Sequence, residues 1–142
     1  MLPDEKTWRF IAVLNKKISL GKLMNALGHM TAGLAGGFGL ADTMHFLEYS
    51  DKDGGIHPHI SYFPFIVLKA DNGNQIRKIR MEAAARNLIF TDFTSTMTVG
   101  TSDEQRAATN QTAEAELEYY GICLFGETTV LKEFTGKFSL FQ

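Results

Sequence analysis

Hydrophobic positions along the chain fall into runs with two different periods. Trp8 to Asn15 is apolar through Phe10, Ile11, Ala12, Val13 and Leu14, as a strand covered on both faces would be. Leu20, Leu23, Leu27, Met30 and Leu34 then recur at spacings of three and four, the interval that lines one face of a helix. Lys22, Asn25 and His29 fall at i, i+3 and i+7 and share a second, polar face. Ser19 is placed to cap this helix. The small residues Ala26, Gly28, Ala32, Gly33 and Ala35 permit close approach to a sheet, and Gly36-Gly37 ends the helix.

Phe38 to Ser61 has no sustained period and reads as a long ordered loop, with a short strand around His45 to Tyr49. Tyr62 to Ala70 gives a second buried strand, begun by Pro64, which cannot donate to a ladder. Asn72 or Asn74 caps a helix to about Asn87, with Ile76, Ile79 and Ala83 inward and Arg77, Lys78, Arg80 and Arg86 toward solvent. Leu88 to Phe93 is a third strand, and Ser95 to Thr109 a loop with room for a short helix. A fourth strand (118–125), a helix (127–135) and a terminal strand (137–141) complete the chain. The order βαβαβ followed by βαβ predicts one α/β domain over residues 1–142: a mixed sheet of four or five strands with helices on both faces.

Composition adds limits rather than detail. With 142 residues, 44% hydrophobic and 21% charged, the chain is the size of one ordinary domain with one core. No apolar run approaches the roughly 18 residues of a bilayer span, and the expectation is a cytoplasmic protein without membrane contact. Cys123 is a lone cysteine in an apolar run, hence a buried free thiol. A net charge of −2 gives no overall attraction to nucleic acid, so RNA binding would rest on a local patch such as Arg77, Lys78, Arg80 and Arg86. The same charges are also what a solvated helix face carries.

Several segments together resemble type II peptidyl-tRNA hydrolases: Leu20-Gly21-Lys22, Gly28-His29-Met30-Thr31-Ala32, the strand Phe65 to Ala70, the turn Thr91 to Thr96, and the stretch from Gly121-Ile122-Cys123 to Phe134 through Phe138. Leu23 to His29, and Asp53-Gly54 through His57-Pro58 to Leu68, look closest to an uncharacterised bacterial branch of that fold, for which a domain of unknown function is implied. The resemblance covers most of the chain and implies a homodimer. Carried over residue by residue, it makes Lys22, His29, Asp92 and Thr96 the catalytic candidates. This sequence departs from the hydrolases at Ala26, where they carry glutamine, at Leu20, where they carry a second basic residue, and in the longer connection 38–61.

A peptidyl-tRNA ester, or a smaller ester or amide, needs an activated water, an oxyanion donor and a proton for the leaving oxygen. Asp92 would hold the Lys22 ammonium toward the oxyanion while His29 or Asp92 takes the proton of a water positioned by Thr96. The alternative is a structural Lys22–Asp92 ion pair and a non-catalytic module that binds a small ligand in the same cleft. Asn25 would then line the cleft, with Tyr49, His57 and Tyr62 of the insertion closing it. No cofactor is expected. His57-x-His59 suits a transition metal in an extended segment, but no third ligand is identifiable and a polar turn accounts for it too. Asp51-x-Asp53-Gly54 is not a calcium loop, since its twelfth position is Tyr62 rather than glutamate.

Overall fold

The apolar run Phe10–Leu14 lies at the centre of the fold, because, like Tyr119 to Gly126, it is buried from both sides. The structure, a computed structural model, describes residues 1–142. Its elements are β1 (Trp8–Asn15), α1 (Leu20–Gly37), α2 (Ala41–Met44), β2 (Phe46–Ser50), β3 (Ile56–Ser61), β4 (Phe65–Ala70), α3 (Gly73–Ala85), β5 (Ile89–Thr94), α4 (Ser102–Asn110), β6 (Tyr119–Glu127), α5 (Thr128–Thr135) and β7 (Ser139–Leu140). Five strands form one sheet in the order β5-β6-β1-β4-β7, while β2 and β3 pair separately. β1 is parallel to β4 and antiparallel to β6, and β5 and β7 run antiparallel to β6 and β4. No helix is long and apolar enough to cross a membrane.

Right-handed crossovers explain the layering. The step from β1 to β4 moves one way along the sheet and the step from β4 to β5 moves back past it, so α1 and α3 land on opposite faces. Alternation along the strands then builds two cores. Phe10, Ala12, Leu14, Phe93, Cys123 and Phe125 meet Leu23, Ala26, Met30 and Leu34 of α1. Ile11, Val13, Ile122 and Leu124 meet Ile76, Ile79 and Ala83 of α3 and Leu131 of α5. Burying each large aliphatic side chain stabilises the fold by roughly 1.5–3 kcal/mol.

Several expectations change in detail. Leu20 is 59% exposed, and Ala26 takes its place in the buried stripe of α1. Ser19 occupies the N-cap of α1 but its side chain makes no capping bond, whereas Asn72 caps α3 by accepting from the Gln75 N–H. Among the small residues, Gly33 approaches the sheet, its Cβ position being 3.6 Å from the Thr91 methyl, while Gly28, Gly36 and Gly37 face open space. The segment 38–61 is not one long loop: the short strand expected around His45 to Tyr49 is β2, and it pairs with β3 in a hairpin that α2 precedes. Asp51 closes that hairpin by accepting from the Asp53 and Gly55 N–H groups, a local turn chemistry that needs no hydrophobic period.

Three arginines expected in solvent are engaged instead. Arg77 pairs with Glu114 at 2.8 Å and lies over Tyr119, and Arg80 pairs with Asp92 at 2.8 Å and lies over Phe90. Arg86 bridges Glu82 and Glu133 and covers Phe134. Their alkyl stems cover apolar surface while their charges are compensated, which leaves Lys78 as the unpaired cation of the four and weakens the case for a phosphate-binding helix.

Candidate functional site

Carboxyl ends of parallel strands are where an open α/β sheet gathers functional groups, and the carboxyl ends of β1, β4 and β5 lie together here. Asn15 organises that edge: its side-chain amide donates to the Tyr119 carbonyl at 3.1 Å and its side-chain oxygen accepts from the Lys17 N–H at 3.0 Å. This bends the chain from β1 into α1, and Lys16 is held by Asp71 at 2.8 Å.

Between α1, the end of β5 and α4 lies a groove of about 260 Å³ lined by His29, Met30, Thr91, Asp92, Phe93, Met97 and Gln105. His29 is exposed and stacks on Phe93 with ring centroids 5.9 Å apart. The Thr91 hydroxyl donates to the Met30 carbonyl at 2.9 Å, fixing α1 against β5 one residue beyond His29. Lys22 and Asn25 stand on the same stripe of α1, both exposed and outside the groove lining. Seven residues separate Lys22 from His29, roughly 10 Å along the helix axis.

Asp92 is not Lys22's partner. It alternates with Thr91 and Phe93, which face α1, so its side chain faces α3 and binds the Arg80 Nε at 2.8 Å, only 17% exposed. That bond holds the Arg80 guanidinium above its usual range. Asp92 is among the residues at the groove, but its carboxylate is bound to Arg80 toward α3. Lys22 has no ion-pair partner.

Thr96 is not part of the groove lining, and its hydroxyl is committed. It bonds Thr94 at 2.7 Å and Thr109 at 2.8 Å, and Thr109 donates to the Gln105 carbonyl at 2.8 Å. A hydroxyl has one proton, so the direction is fixed: Thr94 donates to Thr96, Thr96 to Thr109, and Thr109 to the carbonyl. Thr96 retains a lone pair and no free proton.

Tyr49, His57 and Tyr62 do not close this groove. The hairpin leads into the amino end of β4, near the carboxyl end of α1, which lies roughly 12 Å along the helix axis from His29 and roughly 22 Å from Lys22. Tyr62 donates to the Pro3 carbonyl at 2.6 Å, and Tyr49 pairs across the hairpin with His57. His57 bonds Asp51 at 2.8 Å, which holds that carboxyl below its ordinary range, and His59 lies 3.4 Å from Glu48. No group of three metal-capable side chains converges there or elsewhere.

Gln105 and Met97 line the groove from the stretch 95–109, expected as a loop with room for a short helix, and that helix is α4. A signal for that helix was present: Thr101 and Glu104 form a reciprocal capping box at the start of α4, and Thr-x-x-Glu is its sequence signature.

A family model described as a protein of unknown function (DUF2000) matches residues 8–142. The chain belongs to the DUF2000 family. Its fold is also that of a solved protein of unknown function, Atu0240 from Agrobacterium tumefaciens strain C58. That structure superposes with a TM-score of 0.81 at 15% identity, over 96% of this chain and 98% of the other. No functionally curated protein matches the sequence. Membership thus accounts for the architecture, and the DUF2000 groove must be read from its own side chains.

Proposed function

We propose that this DUF2000 protein binds a small ligand in the groove between α1, β5 and α4, with His29 and Gln105 as polar contacts and Phe93 and Met97 as apolar walls. The observation that carries this reading is the position of Asp92 on the opposite face, tied to Arg80. Hydrolysis by the set Lys22, His29, Asp92 and Thr96 needs the acid beside the lysine or the histidine. Here the sheet separates them, and the Thr96 proton is directed into the Thr109 hydroxyl. His29 is then an imidazole without a carboxylate to orient it, better suited to hydrogen bonding and stacking than to general base work. The groove's modest volume fits a small planar group such as an amide or carboxylate more readily than a nucleic acid.

Binding and turnover are tested together. Small aryl amides and carboxylates, screened by NMR, are expected to shift the His29 ring signals, and Gln105→Ala is expected to abolish those shifts. Peptide release from a peptidyl-tRNA is expected to stay at the uncatalysed rate. Release that falls at least tenfold in both Lys22→Ala and His29→Ala, as loss of acid–base groups requires, would overturn the binding reading in favour of the hydrolase.

A further inference from the structure

A second cavity lies at the other end of the sheet, where β1 and β5 begin and β6 ends. Its volume is about 460 Å³ and its walls include Trp8, Leu40, Ile89, Phe125 and Val130. A largely apolar cleft of this size with a few polar groups is the usual form of a small-molecule site. Trp8 stacks on Phe125 with centroids 5.5 Å apart and planes 20° from parallel, which makes it a rigid aromatic wall.

The charges around this cavity are unequal in how they are satisfied. Arg86 and Glu127 both line it. Arg86 is held between Glu82 at 2.8 Å and Glu133 at 2.6 Å, so two carboxylates already compensate its charge. Glu127 has no ion pair, and although it occupies the N-cap of α5 its side chain makes no capping bond. Its cross-strand partner is Trp8. Directly opposed residues of an antiparallel pair share a face with Cβ atoms roughly 5 Å apart, so the free carboxylate stands beside the indole. Thr43 and Asn87 add polar groups at the same rim. An uncompensated carboxylate next to a tryptophan in an apolar cleft is complementary to a cation carrying an apolar body.

We propose that this cavity binds a small organic ammonium ion with an aryl or branched-alkyl body, its charged group between the Glu127 carboxylate and the Trp8 ring. The site is distinct from the His29 groove: no residue lines both, although Ile89 of this cavity and Thr91 of the groove stand two residues apart on β5.

Trp8 is the only tryptophan, so its fluorescence reports occupancy directly. The probes are 2-phenylethylammonium, its neutral analogue 2-phenylethanol, and phenylacetate. The ammonium ion is expected to give a saturable change, with the alcohol binding about tenfold more weakly and phenylacetate more weakly still, as loss of one charge-assisted contact implies. In Glu127→Gln the ammonium ion is expected to bind no better than the alcohol. The readout is the ratio of the two affinities, so a general loss of stability cannot imitate the result. An absent saturable response to the ammonium ion, phenylacetate binding as tightly, or an ammonium preference that survives Glu127→Gln would each overturn the proposal. Tight phenylacetate binding would assign the cavity to anions, held by Arg86 and the α5 N-terminus.

Discussion

Replacing Thr96 by valine tests the reading of the hydroxyl chain at the end of β5. The change keeps the shape of the side chain and removes both of its hydrogen bonds, to Thr94 and Thr109. The three residues are not equally affected. Thr109 loses only a donor and keeps its bond to the Gln105 carbonyl. Thr94 is 1% exposed and loses the acceptor for its proton. An orphaned buried donor costs about 1–3 kcal/mol, so Thr96→Val is expected to destabilise by about 2 kcal/mol. Thr94→Val removes that donor and should cost less, about 1 kcal/mol, because the half-buried Thr96 can accept from water. The double variant leaves no orphan at all. It should therefore cost about 1 kcal/mol less than the sum of the single changes, a coupling that a double-mutant cycle in urea denaturation resolves. If Thr96→Val unfolds at the wild-type midpoint while a ligand or turnover signal is lost, the chain does not run as described. Thr96 would then face the groove with a free proton.

Four further outcomes follow from the packing. Asp92→Asn should cost about 1 kcal/mol, since Arg80 lies partly in solvent and keeps its place over Phe90, and should leave the His29 ring signals unmoved; a His29 shift would show that the carboxylate reaches the groove. Gly121→Ala should cost about 1–3 kcal/mol by overpacking, because the new Cβ would lie 2.8 Å from a Leu14 methyl and 2.9 Å from the Met30 methyl; unchanged stability would place α1 further from β6. Burial pushes the Cys123 thiol from 9.0 to about 12, and burial together with the Glu114 hydrogen bond pushes the Tyr119 phenol from 10.0 to about 12. Both groups hold their protons more tightly when folded, so their contribution is present below the unfolded values and is lost as the pH rises toward 12. Denaturation across that alkaline range should show the loss, smaller in Tyr119→Phe and in Cys123→Ala. A thiol reagent should reach Cys123 no faster than global unfolding, and rapid reaction with the native protein would contradict its burial.

Much of the architecture was legible because it depends on period and punctuation. The apolar runs at Phe10–Leu14 and Phe65–Leu68, the three-and-four spacing through Met30 and Leu34, and the Asn72 cap each specify an element by local physics, and each is found where that physics places it. In the segment 38–61 only the short strand around His45 to Tyr49 was legible, and it is β2; α2 and the partner strand β3 were not. These strands carry Glu48, Ser50, His57 and His59 among few apolar residues, and the hairpin is closed by the Asp51 side chain rather than held by a hydrophobic face. Leu20 belonged to the helical stripe by spacing alone. It stands on the first turn, before the helix comes down over the sheet, and stays exposed.

The candidate site was legible only in part, for a reason that one strand makes plain. In β5 every position from Ile89 to Thr94 is at least partly buried, so hydrophobicity cannot tell which residues face α1 and which face α3. A chemical assignment at Asp92 needs that parity. Two rules together supply it. Right-handed crossovers in opposite directions put α1 and α3 on opposite faces, and Phe93, which packs with Leu23 and Met30 in the α1 core, fixes the α1-facing set as Thr91 and Phe93. Asp92 must then face α3, where Arg80 compensates it. Residues adjacent in sequence on a strand are thus the least able to cooperate in one site, while Gln105, 13 positions beyond Asp92, arrives in the groove because the capped helix α4 folds back over the end of β5. For this chain the consequence is concrete. On the ligand-binding proposal, an acid that works with His29 would have to come from the ligand, and this makes the chemistry of any bound group, rather than a resident carboxylate, the quantity to identify.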